Sequence, residues 1–267
     1  MTYWRFWKLS GAPFSSEYNH SVFLGASVEE AVARIEFLIN NRRSVGILVG
    51  QSGVGKSSVL RYCHNHPPQS PQVPSVQISR ASMMGMQSGE LIHQLAVWLT
   101  GDSSIYGSAE SWKTLCDYFR AASREGVQTV LLVDDTESAT TAAEGDLCRL
   151  MSMSFPLTIV FAVESHLVSK VSRSLIERVE LQIDLPTWDF MQTAEFLLWS
   201  TQQLGRQEPI FTESAVRTIQ ERSGGVARKI IQLADLGLVA GAVSQARFID
   251  SSCIEQVVFE LPKSQAA

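Results

Sequence analysis

The sequence predicts an α/β fold, a three-layer domain built on a parallel sheet and followed by a small all-helical domain. Three observations carry this expectation. Gly50-Gln51-Ser52-Gly53-Val54-Gly55-Lys56-Ser57 fits the phosphate-loop pattern G-x-x-x-x-G-K-S/T, between an apolar strand at Val45 to Val49 and a helix-like segment from Ser58 to Cys63. Further apolar runs at 129–133 and 158–163 alternate with helix-like stretches, as strands buried on both faces of a parallel sheet require. From Trp188 onward strand-like runs stop, and three or four helices separated by glycines remain.

The phosphate loop sets the chemistry. A triphosphate carries several negative charges that need many donors at close range. Glycine lets backbone N–H groups approach the phosphates, and the helix that follows offers its positive end. Gly50, Gln51, Ser52, Gly53, Val54, Gly55, Lys56, Ser57 and Ser58 are therefore the candidate nucleotide-binding residues. Lys56 would reach the β- and γ-phosphates as a point charge, and the Ser57 hydroxyl would ligate Mg²⁺.

Composition bounds the class. A chain of 267 residues with 45% apolar and 18% charged residues is an ordinary globular protein of one large or two modest domains. Lys and Arg number 22 against 27 Asp and Glu, a net charge of −5 without runs of like charge, so a strongly cationic nucleic-acid surface is not advertised; a local DNA-binding patch stays open. The start of the chain lacks a signal-peptide pattern and no apolar run is long enough to span a membrane, which points to the cytoplasm. Cys63, Cys116, Cys148 and Cys253 are scattered without zinc spacing and read as reduced, mostly buried thiols.

In chain order, residues 1–24 are rich in aromatics: Tyr3, Trp4, Phe6, Trp7, Phe14, Tyr18 and Phe23. They read as an arm packed on the main domain, with a partner-binding arm or part of an adenine pocket as alternatives. Ser27-Val-Glu-Glu30 is a capping box, and Val28, Ala31, Val32, Ile35, Leu38 and Ile39 recur at helical spacing behind it. The prolines between His64 and Pro74 make a loop, and Val76 to Ser79 reads as a short strand. Ser88 to Leu99 and Ser108 to Arg124 read as amphipathic helices. Thr129-Val-Leu-Leu-Val-Asp134-Asp135 is a buried strand that ends in paired carboxylates, where open α/β sheets bind ligands. Downstream of a phosphate loop this is a Walker B element: Asp134 for the Mg²⁺ shell, Asp135 to polarise the attacking water, with Glu137 the nearest alternative. A strand at Thr158 to Val163, a helix at Leu167 to Ile176 and a strand at Val179 to Leu185 follow. The last helices are placed at 189–204, 213–223, 226–242 and 251–259. The chain thus divides into an aromatic arm at 1–26, a phosphate-loop α/β domain at 27–186 and a helical lid at 187–262.

A phosphate-loop domain followed directly by a helical lid resembles the AAA+ ATPases, a group of P-loop NTPases. Ser174-Leu-Ile-Glu-Arg178-Val resembles the segment that places an arginine before the last strand, and Gly224-Gly-Val-Ala-Arg228 is similar to the lid-helix motif that supplies the second sensor. With the aromatic start ending in Pro13-Phe14, the pattern looks most like the ExeA-type ATPases of general secretion, whose relatives include transposition regulators and the origin-recognition group. The resemblance implies an ATP-hydrolysing enzyme that forms a homo-oligomer on nucleotide and remodels or recruits a protein partner. It implies Arg178 as the finger offered to a neighbouring subunit's γ-phosphate, with Arg173 as the competitor, and Arg228 as the sensor of the same phosphate from its own lid. It also implies a first sensor at Glu164 or Ser165. Two departures stand out: the family usually has Asp-Glu where this chain has Asp134-Asp135, and Ala227 replaces the proline of the lid motif. The shorter Asp135 leaves a non-hydrolysing nucleotide switch as an alternative, and the relatives leave a DNA-associated ATPase as another.

Overall fold

The computed structural model describes residues 2–14, 22–68 and 75–260. Tyr18 and part of the proline-rich loop lie outside the described residues. The elements run α1 (Tyr3–Phe6), α2 (Ala26–Asn40), β1 (Val45–Gly50), α3 (Lys56–Asn65), β2 (Val76–Ser82), α4 (Glu90–Thr100), α5 (Ser108–Arg124), β3 (Gln128–Asp134), α6 (Thr141–Met151), β4 (Leu157–Glu164), α7 (Arg173–Ile176), β5 (Leu181–Asp184), α8 (Phe190–Gln202), α9 (Glu213–Ser223), α10 (Ala227–Val243) and α11 (Ser251–Glu260). They form two compact units: Glu30–Gln51 with Lys56–Leu185, and Met1–Glu29 with Ser52–Gly55 and Pro186–Ala267.

The first unit holds a five-stranded parallel sheet in the order β2-β3-β4-β1-β5. All six residues of β1 and all seven of β3 are buried, which is why these strands are apolar without alternation. Gly46 leaves room for α2: a Cβ there would come 2.3 Å from Leu38 Cδ1. At the start of β3 a side-chain chain of bonds crosses the sheet, with Gln128 Nε2 donating to Thr158 Oγ1 and Thr158 Oγ1 donating to the Arg43 carbonyl, both at 2.7 Å. Chain connections run from β1 to one side for β2, β3 and β4 and to the other for β5, so they part at the C-terminal end of β1. That is where open α/β sheets form their ligand crevice.

Several elements depart from the expected bounds. β2 runs on to Ser82, three residues beyond the expected end, because it pairs with the whole of β3 down to Asp134. The expected helix from Leu167 to Ile176 is a 3-10 segment, Ser165–Lys170, and the single-turn α7, separated by extended Val171 and Ser172 with Val171 buried. Helix α6 was not foreseen; its Thr140 N-cap accepts from Ala143 N. Helix α2 begins at Ala26 rather than being capped by Ser27, since the Gly25 carbonyl accepts from Val28 and Glu29. Of the four cysteines, which are free, Cys63 alone is buried and the others are half-buried. Burial pushes the Cys63 thiol up to about 12.

The second unit is helical, and its described residues pair as strand only in a single bridge between Phe211 and Ile249. Its core gathers α8, α9, α10 and α11 around Phe196, Leu197, Ile219, Ile230, Leu238 and Ile254. Asp189 and Gln192 form a capping box on α8. Gly225 is required by backbone approach: its φ is +75°, and a Cβ would lie 2.1 Å from the Trp188 carbonyl.

The aromatic start of the chain belongs to this helical core rather than to the sheet unit. Trp7 is 1% exposed, and its indole N–H donates to the Leu238 carbonyl at 2.8 Å. Gly241 makes the space, since a Cβ there would meet Trp7 Cζ2 at 2.7 Å. Phe23 packs edge-on against Trp188 and Phe196 at 5.6 and 5.5 Å between ring centroids. Trp7→Ala is expected to remove about 3–5 kcal/mol of stability, as burial of a large aromatic implies. Denaturant unfolding checks this, and a loss under about 1 kcal/mol would contradict it.

Candidate nucleotide-binding site

The phosphate loop leaves β1 at Gly50 and enters α3 at Lys56. Lys56 is 8% exposed although it is a lysine, and its Nζ donates to the carbonyls of Gly50 at 2.9 Å and Gln51 at 3.0 Å. The loop thereby folds over its own cation. Ser57 is exposed and Ser58 half-buried in the first turn of α3, a turn whose backbone N–H groups have no intrahelical acceptor. An anion placed there meets both the helix end and the lysine charge.

Acidic groups surround that lysine. Burial lowers the Lys56 pKa, while the carboxylates of Glu164, Glu137, Asp134 and Asp135 act against that shift. Asp134 ends β3, is 6% exposed, and accepts from its neighbour's N–H, Asp135 N, at 3.2 Å. Asp135 has a left-handed backbone, φ +54° and ψ +37°, a conformation that Asp tolerates better than most residues. Its Oδ2 accepts from Ser82 Oγ at 2.8 Å. Glu137 sits in the 3-10 turn Thr136–Ser138, and its Oε1 accepts from Glu164 N at 3.2 Å. Glu164 closes β4 in register with Gly50, so this half-buried carboxylate stands beside the start of the phosphate loop. Ser165, the other candidate for the first sensor, is exposed at the start of the 3-10 segment.

The donor chemistry fits Mg²⁺. A serine hydroxyl in the first turn of α3 and one carboxylate at the end of β3 are the kind of sparse oxygen set that this ion takes when substrate phosphates complete its shell.

The proposed arginines fall in different settings. Arg173 is spent on its own helix, paired with Glu177 at 2.6 Å on the surface. Arg178 follows α7, is exposed, and makes no ion pair among the described residues. Arg228 occupies the second position of α10; its backbone N–H donates to the Gly53 carbonyl at 3.0 Å. Gly53 has φ +80°, and a Cβ on it would approach Arg228 Cβ to 3.0 Å and Val226 Cγ1 to 3.2 Å, so this loop residue must lack a side chain.

Sequence reasoning missed Ser82, because β2 reads as ending before it. It held Glu137 only in reserve, although a glutamate three residues past Asp134 lies one turn beyond the strand end and can fold back over it.

Fold and site agree with the family comparison: over residues 39–171, just under half of its length, the chain matches the family model described as an AAA domain. Among curated proteins it is similar to General secretion pathway protein A of Aeromonas hydrophila, 22% identical over 275 residues. That alignment takes in 97% of this chain and 48% of the relative, so the chain spans about half the length of the curated protein it matches. Among solved structures it is similar to the Aeropyrum pernix ORC2 protein, with TM-score 0.67 and 15% identity over 95% of this chain and 72% of that one. It is also similar to the Thermotoga maritima RuvB Holliday junction branch migration motor, with TM-score 0.60 and 16% identity over 94% of this chain and 72% of that one. The Aeropyrum pernix ORC1 protein in complex with DNA gives TM-score 0.65 and 13% identity over 93% and 68%. Among the described residues no helix is long and apolar enough to cross a membrane.

Proposed function

We propose that this protein binds Mg-ATP at the phosphate loop, assembles into a homo-oligomer on nucleotide, and uses hydrolysis to remodel or recruit a protein partner in the cytoplasm, in secretion or envelope assembly. The observation that carries the reading is Lys56, a buried lysine held by the carbonyls of its own loop at the C-terminal end of a parallel sheet, facing the carboxylates of β3 and β4.

The residues divide the work by their chemistry. Gly50 to Ser58 would wrap the phosphates with backbone donors, and Lys56 would neutralise the β- and γ-phosphates. Ser57 and Asp134 would hold the magnesium ion, which supplies charge neutralisation across the phosphates when bound. Asp135 would polarise the attacking water. Arg228 would grip the γ-phosphate from its own subunit, and Arg178 would reach the γ-phosphate of a neighbour. A guanidinium suits both tasks, since it stays charged and can bind phosphate oxygens in pairs. Support for a role in secretion comes from the similarity to General secretion pathway protein A.

A second reading is an ATP-governed switch without turnover, favoured by Asp135, whose carboxylate is one methylene shorter than glutamate and is already bonded to Ser82. A DNA-associated role draws on the likeness to an ORC1 protein solved with DNA and is opposed by the net charge of −5. Single-turnover ATP hydrolysis separates these readings. A burst of phosphate that requires Mg²⁺ supports the first, tight ATP binding without phosphate release supports the switch, and salt-dependent DNA binding supports the third.

A further inference from the structure

The carboxylates at the ends of β3 and β4 are not equivalent. Asp134 accepts from the backbone of Asp135, and Asp135 accepts from Ser82. Glu137 is anchored through one oxygen only: Oε1 takes the Glu164 N–H, which fixes the direction of the side chain. Its other oxygen, Oε2, is buried and has no hydrogen-bond partner, and among the described residues it is the one buried carboxylate oxygen in that state. A buried acceptor left without a donor is costly, and beside a ligand site a donor that comes with the ligand offsets that cost. Lys56, which would hold the γ-phosphate, lies within the electrostatic reach of this same carboxylate.

We propose that Glu137 is a further catalytic residue of the ATPase, the base that receives the proton of the attacking water at Oε2. The inference rests on the hydrolytic reading given above. The water oxygen bonds to the γ-phosphorus, and the bond from that phosphorus to the β–γ bridging oxygen breaks, its electron pair leaving on ADP. The water's proton passes to Glu137 Oε2 and from there to phosphate or solvent, so the net reaction is ATP and water to ADP and phosphate. The geometry gives Glu137 what Asp135 lacks: a buried oxygen that no donor of the protein occupies, on a side chain one methylene longer. Burial, the largest influence on this carboxyl, raises its affinity for a proton, while its backbone donors and Lys56 act in the opposite direction.

The test compares Glu137→Gln with the unmutated protein in ATP binding, thermal unfolding and turnover. Glutamine keeps the acceptor for the Glu164 N–H and nearly the same volume, so melting temperature should hold and ATP affinity should stay within threefold. Turnover is expected to fall at least 100-fold, the scale of a general base, and ATP should be recovered unhydrolysed with the variant after gel filtration. A smaller fall in turnover overturns the assignment. So does a fall accompanied by lost ATP affinity or a lowered melting temperature, which would make Glu137 a structural residue. An unmutated protein that never hydrolyses ATP overturns the hydrolytic reading and this assignment with it, whereas an active protein indifferent to Glu137→Gln overturns the assignment alone.

Discussion

Lys56→Ala is expected to lower ATP affinity at least tenfold, on the order of 1.4 kcal/mol or more, and to abolish turnover. Two losses combine. The cation proposed to face the β- and γ-phosphates disappears, and with it the bonds from Nζ to the Gly50 and Gln51 carbonyls that close the loop over its own helix. The surrounding carboxylates of Glu164, Glu137, Asp134 and Asp135 then face a polyanion without their lysine, which raises the electrostatic cost of binding. Titration with a fluorescent ATP analogue, beside a thermal melt that shows the variant folded, checks the result. Unchanged affinity in a folded variant would remove the phosphate-loop assignment.

Arg178→Ala is expected to bind ATP nearly normally as an isolated subunit and to lose most of its turnover, by about 1,000-fold if the arginine acts across an interface. The setting of the two candidate fingers supports this choice, because Arg173 is paired with Glu177 just past the end of α7 and Arg178 is exposed without an ion pair among the described residues. Mixing Arg178→Ala with Lys56→Ala should restore part of the activity, since some interfaces would then join an intact phosphate loop to an intact finger. Steady-state phosphate release on the single variants and the mixture is the measurement. If Arg178→Ala is fully active and Arg173→Ala is inactive, the finger is Arg173, about one helical turn away.

The sheet was legible because buried parallel strands must be apolar on both faces, so Val45–Gly50 and Gln128–Asp134 read as continuous runs. The phosphate loop was legible because its chemistry allows few substitutes for glycine and lysine. Helix α6 was not, because Thr-Ala-Ala-Glu-Gly-Asp carries little apolar periodicity and the helix owes its place to Leu147 and Leu150 in the core. The split between Ser165–Lys170 and α7 escaped notice because Val171 fits a helical apolar spacing yet is buried in extended conformation. The aromatic start reads as an arm on the main domain, since composition gives apolar area but not its partner; Gly241, which makes room for Trp7, lies more than 200 residues away. The carboxylates at and just after the end of β3 were visible as letters. Which oxygen is already bonded depends on Ser82 and Glu164, contacts made across the sheet ends that no local pattern records.

Light scattering on the purified protein, with and without Mg²⁺ and a slowly hydrolysed ATP analogue, shows whether ATP held at the phosphate loop drives this chain to assemble. A shift from monomer to a defined oligomer with the analogue, absent in Lys56→Ala, is expected; a protein that binds the analogue and stays monomeric would contradict nucleotide-driven assembly.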